Sequence, residues 1–184
     1  HLAFFEMVDG KPYPPNSVQR NKWAKNAKDA LLTSFAHARE RGQFVVHTGD
    51  LIDYVGGGSV EVAGECFKEM KDGLIVPGNQ EYILYIGDKR EGQEKYVAEM
   101  RSKVQPVFPD NMLLSSRIVN GVNFVGINTV TYCVPPGVPE MFEYEAARGY
   151  PIVLCCHIPF YTEGVYKAAT RGYPTRSAYL CGLP

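Results

Sequence analysis

Three residues able to hold a metal ion each close a short apolar run. Asp50 follows Gln43-Phe44-Val45-Val46-His47, Asn79 follows Gly73-Leu74-Ile75-Val76, and His157 follows Ile152-Val153-Leu154-Cys155-Cys156. Oxygen donors from Asp and Asn, with one imidazole nitrogen, suit Mn, Fe, Co or Zn better than Ca. A carboxylate has two oxygens, so Asp50 is able to bridge two cations. Two cations about 3.5–4 Å apart hold a hydroxide between them and clamp a phosphoryl group. They lower the pKa of the water, so that a nucleophile exists near neutral pH. They also neutralise charge that grows on the phosphoryl oxygens.

Short strands and longer helices must position these residues. His1 to Pro15 reads as a loop, and a helix capped near Asn16 or Ser17 carries Trp23, Ala27, Leu31, Phe35 and Ala38 at helical spacing before Gly42 stops it. Gln43 to His47 is a buried strand. Gly56-Gly57-Gly58 reads as a flexible loop, because no Lys-Ser/Thr follows to make it a phosphate cradle. Helices are expected over roughly Ser59 to Lys71 and Gly92 to Val104, with a strand at Gly73 to Val76 between them. Leu113 to Val119 and Val122 to Asn128 form a hairpin around Asn120-Gly121, a favoured two-residue turn. A short helix near Pro139 to Arg148 leads into the most apolar strand, Ile152 to Cys156. Ile158 to Pro184 reads as a tyrosine-rich loop region. Strands alternating with helices, then a hairpin, predict an α/β domain with a mixed sheet. Ligands in such sheets bind beyond the carboxyl ends of the strands, so neighbouring strands running the same way would bring Asp50, Asn79 and His157 to one rim.

Gly49-Asp50-Leu51-Ile52-Asp53 matches the G-D-x-x-D motif of the calcineurin-like metallophosphoesterases, and Gly78-Asn79-Gln80-Glu81 resembles their G-N-H-(D/E) motif. His157, followed by Ile158-Pro159, resembles their next ligand strand, and His1-Leu2 resembles the second half of their D-x-H motif. The order of motifs agrees, and the resemblance spans almost the whole chain. It implies a β-sandwich of mixed sheets flanked by helices. It also implies a pair of divalent metal ions, with Asp50 bridging, His1 on one ion, and Asn79 and His157 on the other. Asp53 and Glu81 would stand behind these ligands, with Glu81 either orienting Gln80 or remaining a solvated charge. The Asp of D-x-H would precede His1 and the family's G-H-x-H would follow Pro184, so residues 1–184 read as one incomplete domain. Gln80 stands where the family usually has a catalytic His. An amide donates a hydrogen bond but is no acid near pH 7, which favours substrates with good leaving groups.

The composition agrees with a folded domain: 184 residues, 45% hydrophobic, formal net charge −1. That charge gives no support to nucleic-acid or membrane binding, and no apolar run is long enough to span a bilayer. The five cysteines are odd in number and lack C-x-x-C spacing, so reduced thiols in the cytoplasm are expected. Cys155 and Cys156 read as small core residues. His47 is expected in or near its strand and His37 on the surface of the first helix. Arg171, Arg176, Tyr161, Tyr166, Tyr173 and Tyr179 either wall the substrate or simply pack over the sheet. The expected activity is metal-dependent hydrolysis of small phosphomonoesters or phosphodiesters. The alternatives are a catalytically weakened binding or regulatory module and a metal-free nucleotide-binding domain.

Overall fold

The alternation of apolar residues along the strands decides the layering. A computed structural model describes residues 6–8, 11–13, 26–84, 89–171 and 179–182. Strand β1 is Glu6–Val8, β2 is Lys11–Tyr13, β3 is Val45–His47, β4 is Gly73–Ile75, β5 is Leu114–Val119, β6 is Val122–Ile127 and β7 is Ile152–Cys156. The helices are α1 (Ala27–Glu40), α2 (Gly57–Glu69), α3 (Glu94–Val104), α4 (Val138–Ala147) and α5 (Glu163–Thr170), with a 3-10 turn at Asn79–Tyr82. β3 and β4 pair in parallel, and a second sheet has the order β5-β6-β7, antiparallel then parallel.

On β4, Ile75 faces a core built with Phe35 of α1, Phe67 of α2 and Met100 of α3, while Leu74 and Val76 turn the other way onto Cys155, Phe124 and Val46. On β6, Val125 and Ile127 face Val138 and the partly buried Met141 of α4, and Phe124 faces back toward β4. The two sheets therefore pack face to face, α1 to α3 cover one outer face, and α4 covers the other. This is the helix-flanked sandwich of an α/β fold. Gly126 makes the close approach possible. A Cβ there would lie 2.9 Å from Val76 Cγ2 and 3.4 Å from Leu74 Cδ2. Phe44 and Phe124 close the same layer with ring centroids 5.2 Å apart.

Asn120 (φ +50°) and Gly121 (φ +80°) turn the β5–β6 hairpin with Val119 opposite Val122, the left-handed pair that Asn-Gly favours. Other expectations need correction. Glu6–Val8 and Lys11–Tyr13 form an antiparallel hairpin rather than a loop; the Asp9-Gly10 dipeptide between them is a hairpin signal that the surrounding prolines obscured. Gly57 and Gly58 belong to the first turn of α2, with Gly56 as its cap, so the glycine run is not a loop throughout. The region after Ile158 contains α5, capped where Thr162 accepts the Val165 N–H at 3.1 Å. No residue of α5 is buried, and its eight residues are too few for a periodic pattern to mark it in the sequence. β7 is apolar yet only partly covered: Val153 and Leu154 are each 42% exposed. Cys155 is buried as expected and Cys156 half-buried. Asn16, Ser17 and Trp23 lie outside the described residues. No helix among the described residues is long and apolar enough to cross a membrane.

Gly126→Ala is expected to lower stability by about 1–3 kcal/mol through overpacking between the sheets. A urea titration checks this as a lower midpoint at unchanged slope.

Candidate functional site

The ladder between β3 and β4 runs one bond past the strands, where Val76 N–H donates to the His47 carbonyl at 2.9 Å. Beyond it the loops Thr48-Gly49-Asp50 and Pro77-Gly78-Asn79 lie against each other. A Cβ on Gly49, whose φ is +96°, would stand 2.8 Å from the Pro77 carbonyl carbon. A Cβ on Gly78 would stand 2.9 Å from Asp50 Cγ and nearer still to its Oδ1 and backbone nitrogen. Both glycines are thus required for the loops to touch. Asp50 itself takes φ +57°, a left-handed conformation that aspartate tolerates better than most residues.

Glu81 holds this arrangement. Its carboxylate accepts backbone N–H bonds from Asp50 at 2.9 Å, Gly78 at 2.6 Å and Ile52 at 3.1 Å. The side chain is 1% exposed. Burial first, and the Asp50 charge second, push its pKa up to about 7, while the three N–H donors pull the other way. The expectation that Glu81 orients Gln80 or stays solvated is corrected: it is buried, and it binds backbone.

His157 arrives from the other sheet. Its Nδ1 lies 2.8 Å from the Thr48 carbonyl. A carbonyl only accepts, so Nδ1 carries the hydrogen. His157 Nε2 is 3.2 Å from Asn79 Oδ1 and 3.4 Å from Asp50 Oδ1. Asn79 Nδ2 donates to Glu91 Oε1 at 3.4 Å, which leaves Asn79 Oδ1 turned toward His157. Asp50 Oδ1 also accepts the Gln80 N–H at 3.1 Å. Asp50, Asn79 and His157 therefore meet, but across two sheets rather than along one rim.

Two ligands of one cation stand roughly 3.0–3.4 Å apart when each bond is about 2.1 Å. The Asp50–His157 and Asn79–His157 separations are of that size. With neutral His157 in the tautomer that Thr48 favours, Nε2 would present its lone pair to these two oxygens, an arrangement that a divalent cation would turn into coordination. The His157–Thr48 bond is of the kind that would fix the tautomer of an imidazole holding a metal. The donor set thus fits a cation of mixed N/O preference. Among the described residues no three of His, Cys, Asp or Glu gather into such a group; the third donor here is an amide. His1 lies outside the described residues.

Asp53 is 1% exposed. With its amide nitrogen toward Asp53, Gln80 donates to Asp53 Oδ1 at 2.9 Å and to Asp53 O at 2.7 Å. Both amide hydrogens are so engaged. Sequence reasoning missed Thr48, whose carbonyl carries no side-chain signal, and Glu91, which lies in a polar stretch without periodicity. It also missed Thr129, fully buried, whose hydroxyl accepts the Ile158 N–H at 3.0 Å and steadies the loop after His157. His47 is half-buried and its Nδ1 accepts the Gly49 N–H at 3.2 Å. His37 is exposed on α1 beside Arg41. Arg171 is exposed, and Tyr173 and Arg176 lie outside the described residues.

A family model described as calcineurin-like phosphoesterase matches residues 21–177. A comparison with curated proteins gives no match.

Glu81→Gln leaves at least one of three buried N–H groups facing an amide nitrogen and is expected to cost about 2–4 kcal/mol. Gly78→Ala is expected to be at least as damaging, because the methyl group meets Asp50. Thermal unfolding of both variants beside an exposed control such as Glu143→Gln measures the difference.

Proposed function

This chain belongs to the calcineurin-like phosphoesterase family, and from that premise we propose that it hydrolyses small phosphomonoesters or phosphodiesters with water activated between two divalent metal ions. Members of the family are metal-dependent phosphoester hydrolases. Asp50, Asn79 and His157 would hold metal, and His1 joins them on the strength of the His1-Leu2 resemblance. One observation carries the reading: His157 Nε2, its other nitrogen committed to Thr48, lies 3.2 and 3.4 Å from oxygens of Asn79 and Asp50. When bound, the ions, for which Mn, Fe, Zn and Co are the fitting choices, supply Lewis acidity that lowers the pKa of water and neutralises phosphoryl charge.

The chain's own groups do the positioning. Glu81 keeps the Asp50 and Asn79 loops in contact. Thr48 aims the imidazole, and Glu91 turns the Asn79 oxygen inward. Gln80 has both amide hydrogens on Asp53 and is no acid, so the leaving oxygen departs without a proton from this position. That favours esters whose leaving group is already stable as an anion. The same feature supports a second reading, a catalytically weakened member kept for binding or regulation. We place the chain in the cytoplasm because its cysteine pattern suits a reducing compartment.

Elemental analysis of the purified protein is expected to find up to two transition-metal ions per chain. Mn²⁺-dependent turnover of nitrophenyl phosphate or its diester supports hydrolysis; bound metal without turnover supports the second reading. Asp50→Asn is expected to lower turnover at least about 100-fold, more than loss of an outer contact. Gln80→His is expected to speed an alkyl phosphate more than a nitrophenyl phosphate, since only the poorer leaving group needs the proton. Equal effects on both esters would refute the assigned role of Gln80.

A further inference from the structure

The loop after β6 reaches the His157 segment through Thr129, whose hydroxyl takes the Ile158 N–H and whose carbonyl takes the Tyr132 N–H at 3.0 Å. Tyr132 sits at φ +61°, where a bulky residue is a true outlier. Such outliers gather at ligand sites. The Tyr132 carbonyl accepts the Gly182 N–H at 2.9 Å, which sets residues 179–182 beside it. Those residues are also tied to the chain after His157: Cys181 N–H donates to the Pro159 carbonyl and Tyr161 N–H to the Cys181 carbonyl, each at 2.8 Å. The result is a pair of rings, Tyr132 and Tyr179, with centroids 6.0 Å apart and planes 31° from parallel. They are 37% and 73% exposed, so packing does not account for the backbone cost. Glu91, which holds Asn79, is also a charge neighbour of the Tyr132 hydroxyl. Hydrogen bonds through Thr129, Ile158 and Pro159 therefore hold the ring pair beside the chain that follows His157.

We propose that Tyr132 and Tyr179 form an aromatic shelf beside the phosphoester site and select esters whose leaving group carries a flat ring, an aryl group or a nucleobase. This rests on the phosphoesterase reading of Asp50, Asn79 and His157. An uncharged ring gains from stacking on an exposed tyrosine face, and the gain is tolerant of ring identity because every such ring has a π-face. An alkyl leaving group has no equivalent contact.

The test compares kcat/KM of the full chain, loaded with Mn²⁺, on nitrophenyl phosphate, a nucleoside monophosphate and glycerol phosphate. The variants are Tyr132→Asn, since asparagine accepts the left-handed backbone, and Tyr179→Ala. The change in the ring-to-alkyl ratio between wild type and variant cancels the leaving-group chemistry. The ratio is expected to fall about ten-fold in each variant, mainly through KM, the size of one lost stacking contact. Tyr179→Phe keeps the ring and is expected to keep the ratio. A fall confined to the nitrophenyl or to the nucleoside ester supports the shelf and names the ring it takes. A ratio unmoved in both folded variants, with wild type active on all three esters, overturns the shelf and leaves the phosphoesterase reading standing. Wild type inactive on all three monoesters and on the nitrophenyl diester overturns both.

Discussion

Glu81 gathers N–H groups from Asp50, Ile52 and Gly78 onto one buried carboxylate. Asp50 and Asn79 stand on separate loops after separate strands, and nothing in the parallel β3–β4 ladder itself obliges those loops to stay in contact. Hydrogen bonds to a charged group are stronger than neutral ones, and leaving buried donors unmet is expensive. Glu81 thereby converts the neighbourhood of two strands into a fixed spacing between two side chains. The cost is a carboxylate buried near a second one, visible in its raised pKa.

The same contact explains the local backbone. Loops that touch at Gly49 and Gly78 leave no room for a Cβ on either, and Asp50 is driven to positive φ. An aspartate in that conformation points Oδ1 at both the Gln80 N–H and the His157 ring. Strain at such a position persists only because the surroundings over-determine it. Here the surroundings are the Glu81 carboxylate, the two glycines and the buried Leu51 and Ile52 beyond.

His157 depends on a second, longer-range constraint. It belongs to the three-stranded sheet, and it meets Asp50 only because that sheet lies flat on β3–β4. Gly126 permits the approach, and Leu74, Val76, Phe124 and Cys155 fill the space between. The Thr48 carbonyl then receives the imidazole. A change between the sheets, far from the site, would thus act through β7 on the spacing of His157 from Asp50 and Asn79.

The sequence by itself determined most of the elements and the types of donor that close three of the strands. Apolar runs ending in Asp50, Asn79 and His157 were legible because strand ends and donor types are local properties, and Asn120-Gly121 announced its hairpin for the same reason. The helix α5 was not legible, since eight residues are too few for a periodic pattern to stand out, and the β1–β2 hairpin was hidden among prolines. Only the tertiary structure decided that the three donors come from two sheets. It alone showed that Glu81 is buried rather than solvated, that Gln80 is bound to Asp53, and that Tyr132 and Tyr179 stand together. Each of these is a contact between residues distant in the chain, and residue type and spacing carry no information about which distant groups come within a few ångströms.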